Sequence, residues 1–157
     1  MARDIGSRRR VVQSVNTGKP PFVFVDDASS IAMDQDFLLK VPTGVESTSD
    51  LFSSYQREGD FPDYFGRNWD AFLDCLRDFS WTNRRRIIIA HDDVPLSGNE
   101  EELRTYLEIL ETAVNDWKEV KERPFTEPPR EMPYFEHELL VVFPAVTEAR
   151  ITNPLDP

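Results

Sequence analysis

The sequence predicts an α/β fold, a small parallel sheet of three strands with helices packed on it and Phe22–Val25 as a candidate fourth strand. Three observations lead there. Short apolar runs of β type alternate with longer amphipathic stretches, and that order calls for helical crossovers between parallel strands. Two of the runs, Ile87–Ala90 and Leu139–Phe143, are apolar throughout instead of alternating, the mark of strands covered on both faces. With 157 residues, 39% of them hydrophobic, the chain is long enough to close one core.

The elements follow in order. Residues 1–20 are polar, carry a basic cluster at Arg8, Arg9 and Arg10, and read as a mobile extension. Phe22–Val25 is a short β-type run closed by Asp26 and Asp27. Phe37–Val41 is a strand ended by the breakers Pro42, Thr43 and Gly44. Ser47 and Asp50 have the spacing of a capping box. Leu51, Phe52 and Tyr55 follow at helical steps, and Gly59 is placed to end that helix. A second helix runs from about Asn68 to Phe79 on the stripe Trp69, Phe72, Leu73, Leu76 and Phe79. After the strand Ile87–Ala90 comes a long helix, about Asn99 to Val120, striped by Leu103, Tyr106, Leu107, Leu110, Val114 and Trp117. Four prolines in residues 121–135 predict an extended loop before the strand Leu139–Phe143. The resulting layout is a partly disordered extension over residues 1–36, a folded domain over 37–145 and a tail over 146–157.

A net charge of −11 argues against a direct grip on nucleic acid, whose phosphates would repel the chain. The acidity is not uniform. Residues 1–36 carry as many bases as acids, whereas residues 37–157 carry 13 bases against 24 acids. An acidic body favours a basic partner. The single cysteine, Cys75, removes an intrachain disulfide and zinc-ribbon or redox motifs. No apolar run reaches the ~20 residues of a membrane span, and no apolar segment follows the basic start, so a cytoplasmic location is the expectation.

Asp70 and Asp74 are the residues that ask for an explanation. Four apart on one helix they share a face and repel, at a cost of a few tenths of a kcal/mol. One reading is a solvated helix face, with Asp70 favoured by the dipole at the helix start. A second is a metal or acid–base site, for which a convergent histidine, a third acid and a phosphate loop are lacking in the sequence. A third is electrostatic: two carboxylates held rigid and offered to the cations of a partner. The preceding turn supplies Tyr64, amphipathic in the manner of interface residues, then Gly66, Arg67 and the candidate N-cap Asn68. His91 and His137 have no nucleophile or ligand pattern nearby and read as structural, and Arg84, Arg85 and Arg86 read as loop charge with strand-edge salt bridges.

The stretch PDYFGRNWDAFLDCL, Pro62 to Leu76, closely resembles the central motif of the barstar-like family of intracellular ribonuclease inhibitors. Pro62, Tyr64, Phe65, Gly66, Asn68, Trp69, Asp70, Ala71, Phe72, Leu73, Asp74, Cys75 and Leu76 carry the match without a gap, and the order of elements agrees over about residues 37–145. The resemblance implies a monomeric inhibitor or toxin immunity protein, without cofactor, metal or catalytic residues. Such a protein lays its second helix over the cationic active site of a ribonuclease-type nuclease. By position it implies Asp74 as the deepest carboxylate, Asp70 as its neighbour, and Tyr64, Gly66, Arg67, Asn68, Leu73, Trp81 and Glu111 at the contact surface. The chain departs from the pattern at Leu73, where an aromatic is expected, at Arg67, where an acid is expected, and at Thr112, which leaves Glu111 as the nearest acid on the last long helix. The alternatives are an acidic binding module for another basic partner, such as a non-ribonuclease toxin, and a small carboxylate-dependent enzyme.

Overall fold

A computed structural model describes residues 20–122 and 136–155. The expected extension up to residue 19 and the proline-rich loop over 123–135 lie outside the described residues. Four strands, β1 (Val23–Val25), β2 (Phe37–Val41), β3 (Arg86–His91) and β4 (Glu138–Pro144), form one parallel sheet in the order β1-β4-β3-β2. The candidate fourth strand is therefore part of the sheet, with Val23 opposite Val142. Four helices accompany it: α1 (Thr48–Glu58), α2 (Trp69–Leu76), α3 (Glu100–Glu122) and α4 (Glu148–Leu155).

Side-chain alternation explains why the central strands are apolar throughout. Leu39, Val41, Ile87, Ile89, Val141 and Phe143 face the main core, which α1, α2 and α3 cover with Leu51, Tyr55, Phe72, Leu76, Tyr106 and Leu110. Ile88, Ala90 and Val142 face the other way, beneath Ala28 and the half-buried Ile31. Those two belong to a 3₁₀ turn, Ala28–Ile31, whose start is capped by Asp27 accepting from the Ser29 amide. The segment between β1 and β2 thus roofs the second face of the sheet.

Two boundaries differ from the sequence reading. α2 stops at Leu76, where the Arg77 amide bonds back to the Leu73 carbonyl and Phe79 takes a left-handed φ of 44°. Residues expected to be a tail form α4, and Ile151 is fully buried. The Thr147 hydroxyl donates to the Pro144 carbonyl at 2.7 Å and helps turn the chain from β4 back onto α3. So few apolar side chains in a short polar stretch give little periodicity to detect.

Polar groups inside the core are paired. His91 is fully buried at the end of β3; its Nδ1 lies 3.0 Å from the Val142 carbonyl and its Nε2 2.7 Å from the Tyr106 hydroxyl. A carbonyl only accepts, so Nδ1 donates and Nε2 accepts from Tyr106. Tyr106 in turn accepts from the Tyr55 hydroxyl at 2.7 Å. With a neutral imidazole every hydroxyl hydrogen in this chain has an acceptor, and burial pushes His91 down to about 3. His137, also buried, ties the Arg84 and Phe79 carbonyls together at 2.7 and 3.0 Å.

A depressed histidine pKa means that the unfolded chain, with a value near 6.5, takes up the proton first. The contribution of His91 is therefore fully present above about pH 6.5 and is lost as pH falls toward 3. Asp36, held below its usual range mainly by its hydrogen bond from Arg86, pulls the same way at the acid end. Urea midpoints are expected to fall across that window. In Tyr106→Phe the loss of both hydroxyl bonds is expected to cost about 1–3 kcal/mol at neutral pH.

Candidate functional site

The site is built from α2 and the turn before it. Asn68 caps the helix, its Oδ1 accepting from the Ala71 amide at 2.8 Å while its Nδ2 donates to the Gly66 carbonyl at 3.3 Å. A Cβ on Gly66 would stand 3.2 Å from that Nδ2, so a side chain there would press on the cap. An eight-residue helix has little stability of its own, and α2 is held by packing. Phe72 is fully buried and touches the rings of Phe52, Tyr55, Phe61, Phe65, Trp69 and Tyr106 at centroid distances of 4.7 to 6.4 Å. At the far end the Trp117 indole donates to the Leu76 carbonyl at 2.9 Å, and Arg77 pairs with Asp116 of α3 at 2.6 Å.

The face opposite Phe72 carries Asp70 and Asp74, both exposed. Among the described residues neither has a cation within salt-bridge distance. Cys75, on the core side, has its thiol pushed up to about 11, by burial first and then by the carboxylates of Asp78 and Asp74. It stays a protonated, inert thiol at neutral pH. Tyr64 stands 69% exposed beside the helix, and its hydroxyl donates to Asp78 at 3.2 Å. Ser80 donates to the same Asp78 oxygen at 3.1 Å, so Asp78 is the anchor that sets the angle of the Tyr64 ring.

Arg67 sits in the left-handed region, φ 56°, a conformation that costs a non-glycine residue roughly 1–2 kcal/mol. Its guanidinium folds back onto α1, donating to the Ser49 carbonyl at 3.0 Å, to the Ser49 and Ser53 hydroxyls at 3.2 Å, and to Gln56. All four acceptors are neutral. Arg67 therefore fastens the turn to α1 without engaging a carboxylate among the described residues, at the rim of an acidic surface.

Of the residues expected at a contact surface, Tyr64, Gly66, Arg67, Asn68, Asp70, Leu73 and Asp74 fall in this one loop–helix unit. Leu73 is half-buried against the core. Trp81 stands behind the unit as a brace, its indole donating to the Gly59 carbonyl at 2.9 Å and its ring packed on Phe61 and Phe79. Glu111 lies on the neighbouring α3, between the levels where Trp69 and Leu76 of α2 meet that helix. It is half-buried, and burial followed by the Glu108 carboxylate pushes its carboxyl up. Sequence reasoning missed Asp78 as the Tyr64 anchor and the polar row Ser49, Ser53 and Gln56 beneath Arg67. That row has helical spacing on α1, but nothing in it points to a residue beyond the next turn. Among the described residues no three histidine, cysteine or acidic side chains converge to hold a metal ion, and no helix is long and apolar enough to cross a membrane.

A family model described as Barstar (barnase inhibitor) matches residues 39–127, more than half of the chain and all of the loop–helix unit. No curated protein and no solved structure shows a significant match.

The cap is testable without any ligand. Asn68→Ala removes the bond to the Ala71 amide, and urea denaturation should show a loss of about 1 kcal/mol.

Proposed function

The chain belongs to the barstar family, and we propose on that footing that it inhibits a ribonuclease-type nuclease by stoichiometric binding, as an immunity protein in the cytoplasm of the cell that makes the nuclease. Barstar family members are inhibitors and not enzymes. The observation that carries the reading is the pair Asp70 and Asp74, unpaired with any cation among the described residues and exposed on a helix fastened from behind. Carboxylates left without internal cations on a rigid scaffold can take the places of substrate phosphates in a cationic cleft with little reorganisation. Tyr64 adds an exposed aromatic at the edge of the same surface, the residue type favoured at binding hot spots.

Arg67 narrows the choice of partner. Its charge, bonded among the described residues to neutral acceptors alone, would repel a uniformly basic surface. The nuclease that fits places a carboxylate or a neutral acceptor opposite it.

The decisive assay incubates RNA with the purified chain alone and then with candidate ribonucleases. One-to-one suppression of a nuclease is the expected result, and cleavage of RNA by the chain alone would overturn the reading. Asp74→Asn should leave the melting curve unchanged and weaken inhibition by roughly tenfold or more, a magnitude that belongs to the family's own reference pair of inhibitor and ribonuclease. Association of wild type should slow steeply from low to physiological salt, as expected for a −11 body meeting a cationic partner. An on-rate indifferent to salt would count against electrostatic plugging.

A further inference from the structure

The end of the sheet where the strands begin carries a feature the inhibitor reading leaves unused. Phe79, just past α2, packs on Phe37 at the start of β2, whereas Trp69 at the start of α2 packs on Tyr106, which bonds His91 at the end of β3. α2 thus runs opposite to the strands, with Asp70 toward their C-terminal ends. At their N-terminal ends Met33, Gln35, Asp36 and the run Asn83 to Arg86 line an open concavity of about 640 Å³. A second hollow of about 370 Å³, lined by Ser80, Trp81, Thr82 and Asn83, shares Asn83 with it.

The walls of the concavity are fixed and its charge is not spent. Arg86 holds both Asp36 oxygens, at 2.7 and 3.2 Å, and donates to the Ile31 carbonyl at 3.1 Å. Asp36, the acid in the lining, is thereby consumed. The backbone next to it is anchored by His137 on the Arg84 carbonyl and by the Glu138 amide on the Arg85 carbonyl. The guanidinium of Arg84 reaches only the Asp34 carbonyl, at 3.4 Å, and that of Arg85 makes no ion pair among the described residues. Arg84 and Arg85 are adjacent, exposed and without a carboxylate partner among the described residues, so both charges are open to an external anion.

We propose that Arg84 and Arg85 form a binding site for a small phosphate-bearing anion, with Asn83 and Gln35 as further donors at its rim. Paired guanidiniums match the oxygens of phosphate in two-point hydrogen bonds. A small anion is favoured over a nucleic acid strand because carboxylates more than a Debye length of ~8 Å away are screened from it, whereas a long polyanion would meet the acidic body. Free phosphate and the phosphate of a mononucleotide share this chemistry. The hollow beside Trp81 and the exposed thioether of Met33 give a nucleobase apolar surface that free phosphate would not use.

The experiment is a titration of the full chain with inorganic phosphate, with 5′-AMP and with sodium chloride at matched ionic strength, read by amide chemical shifts of residues 83–86 and by Trp81 fluorescence. The expected result is saturable binding of phosphate that chloride does not reproduce. Arg84→Gln and Arg85→Gln should each weaken it roughly tenfold, the worth of a charge-assisted hydrogen bond. Asp74→Asn should leave it unchanged, which separates this site from the inhibitory face. Tighter binding of 5′-AMP with a change in Trp81 emission would name a nucleotide as the source, and equal binding would name free phosphate. Shifts equal to those in chloride, or saturable binding retained by the double variant with its melting curve intact, would overturn the proposal.

Discussion

The burial of one ring, Phe72, is the constraint on which the rest of this molecule rests. A helix as short as α2 cannot persist alone in water, and its two carboxylates would tend to open it further. Phe72 anchors it in a pile of aromatic edges contributed by α1, by the turn before α2 and by α3. Two of the neighbouring rings are tyrosines that carry hydroxyls into the core, which is tolerable only because His91 completes their bonds. The surface geometry of Asp70 and Asp74 and the deep pairing of His91 with the Val142 carbonyl are ends of one connected arrangement.

The charge of the protein is arranged with similar economy. Among the described residues the acids on α2 are left unpaired, while other acids have local partners: Asp36 on Arg86, Asp116 on Arg77, Asp93 on Arg150. The buried pairing of Asp36, 4% exposed at its side chain, fixes the loop between the roof of the second sheet face and β2. The exposed pairs, Arg77 with Asp116 and Arg150 with Asp93, contribute little stability in general. Their effect here is on shape, since each ties a loop or helix end to its neighbour and so keeps the unpaired groups where they are.

Much of this was legible in the sequence. The strands from Phe37, Ile87 and Leu139 and the stripe on α2 are strongly periodic or strongly apolar, and local pattern is decisive there. The motif around Asn68 showed both the cap and the carboxylates it presents. What stayed hidden depends on contacts between distant residues. The roof of the second face is made by Ala28 and Ile31, too few apolar residues to form a pattern. α4 is held by Ile151. The return of Arg67 onto α1 requires a left-handed backbone at a residue that is not glycine, which no local propensity suggests. Tyr64 and Asp78 meet across a helix that separates them in sequence.

The pairing of β1 with β4 sets Val23 beside Val142, so the two strands that share this ladder are separated by most of the chain. Parallel pairing over such a distance is entropically slow to nucleate. It also cannot begin on the ribosome until the last strand has emerged. The carbonyl that His91 needs belongs to Val142 as well. A nascent chain therefore carries α1, α2 and α3 before it owns the strand that completes the floor beneath them, and the acidic face reaches its working rigidity only once β4 has been made. For a protein proposed to restrain a nuclease made by the same cell, the interval between translation and folding is part of the margin of safety.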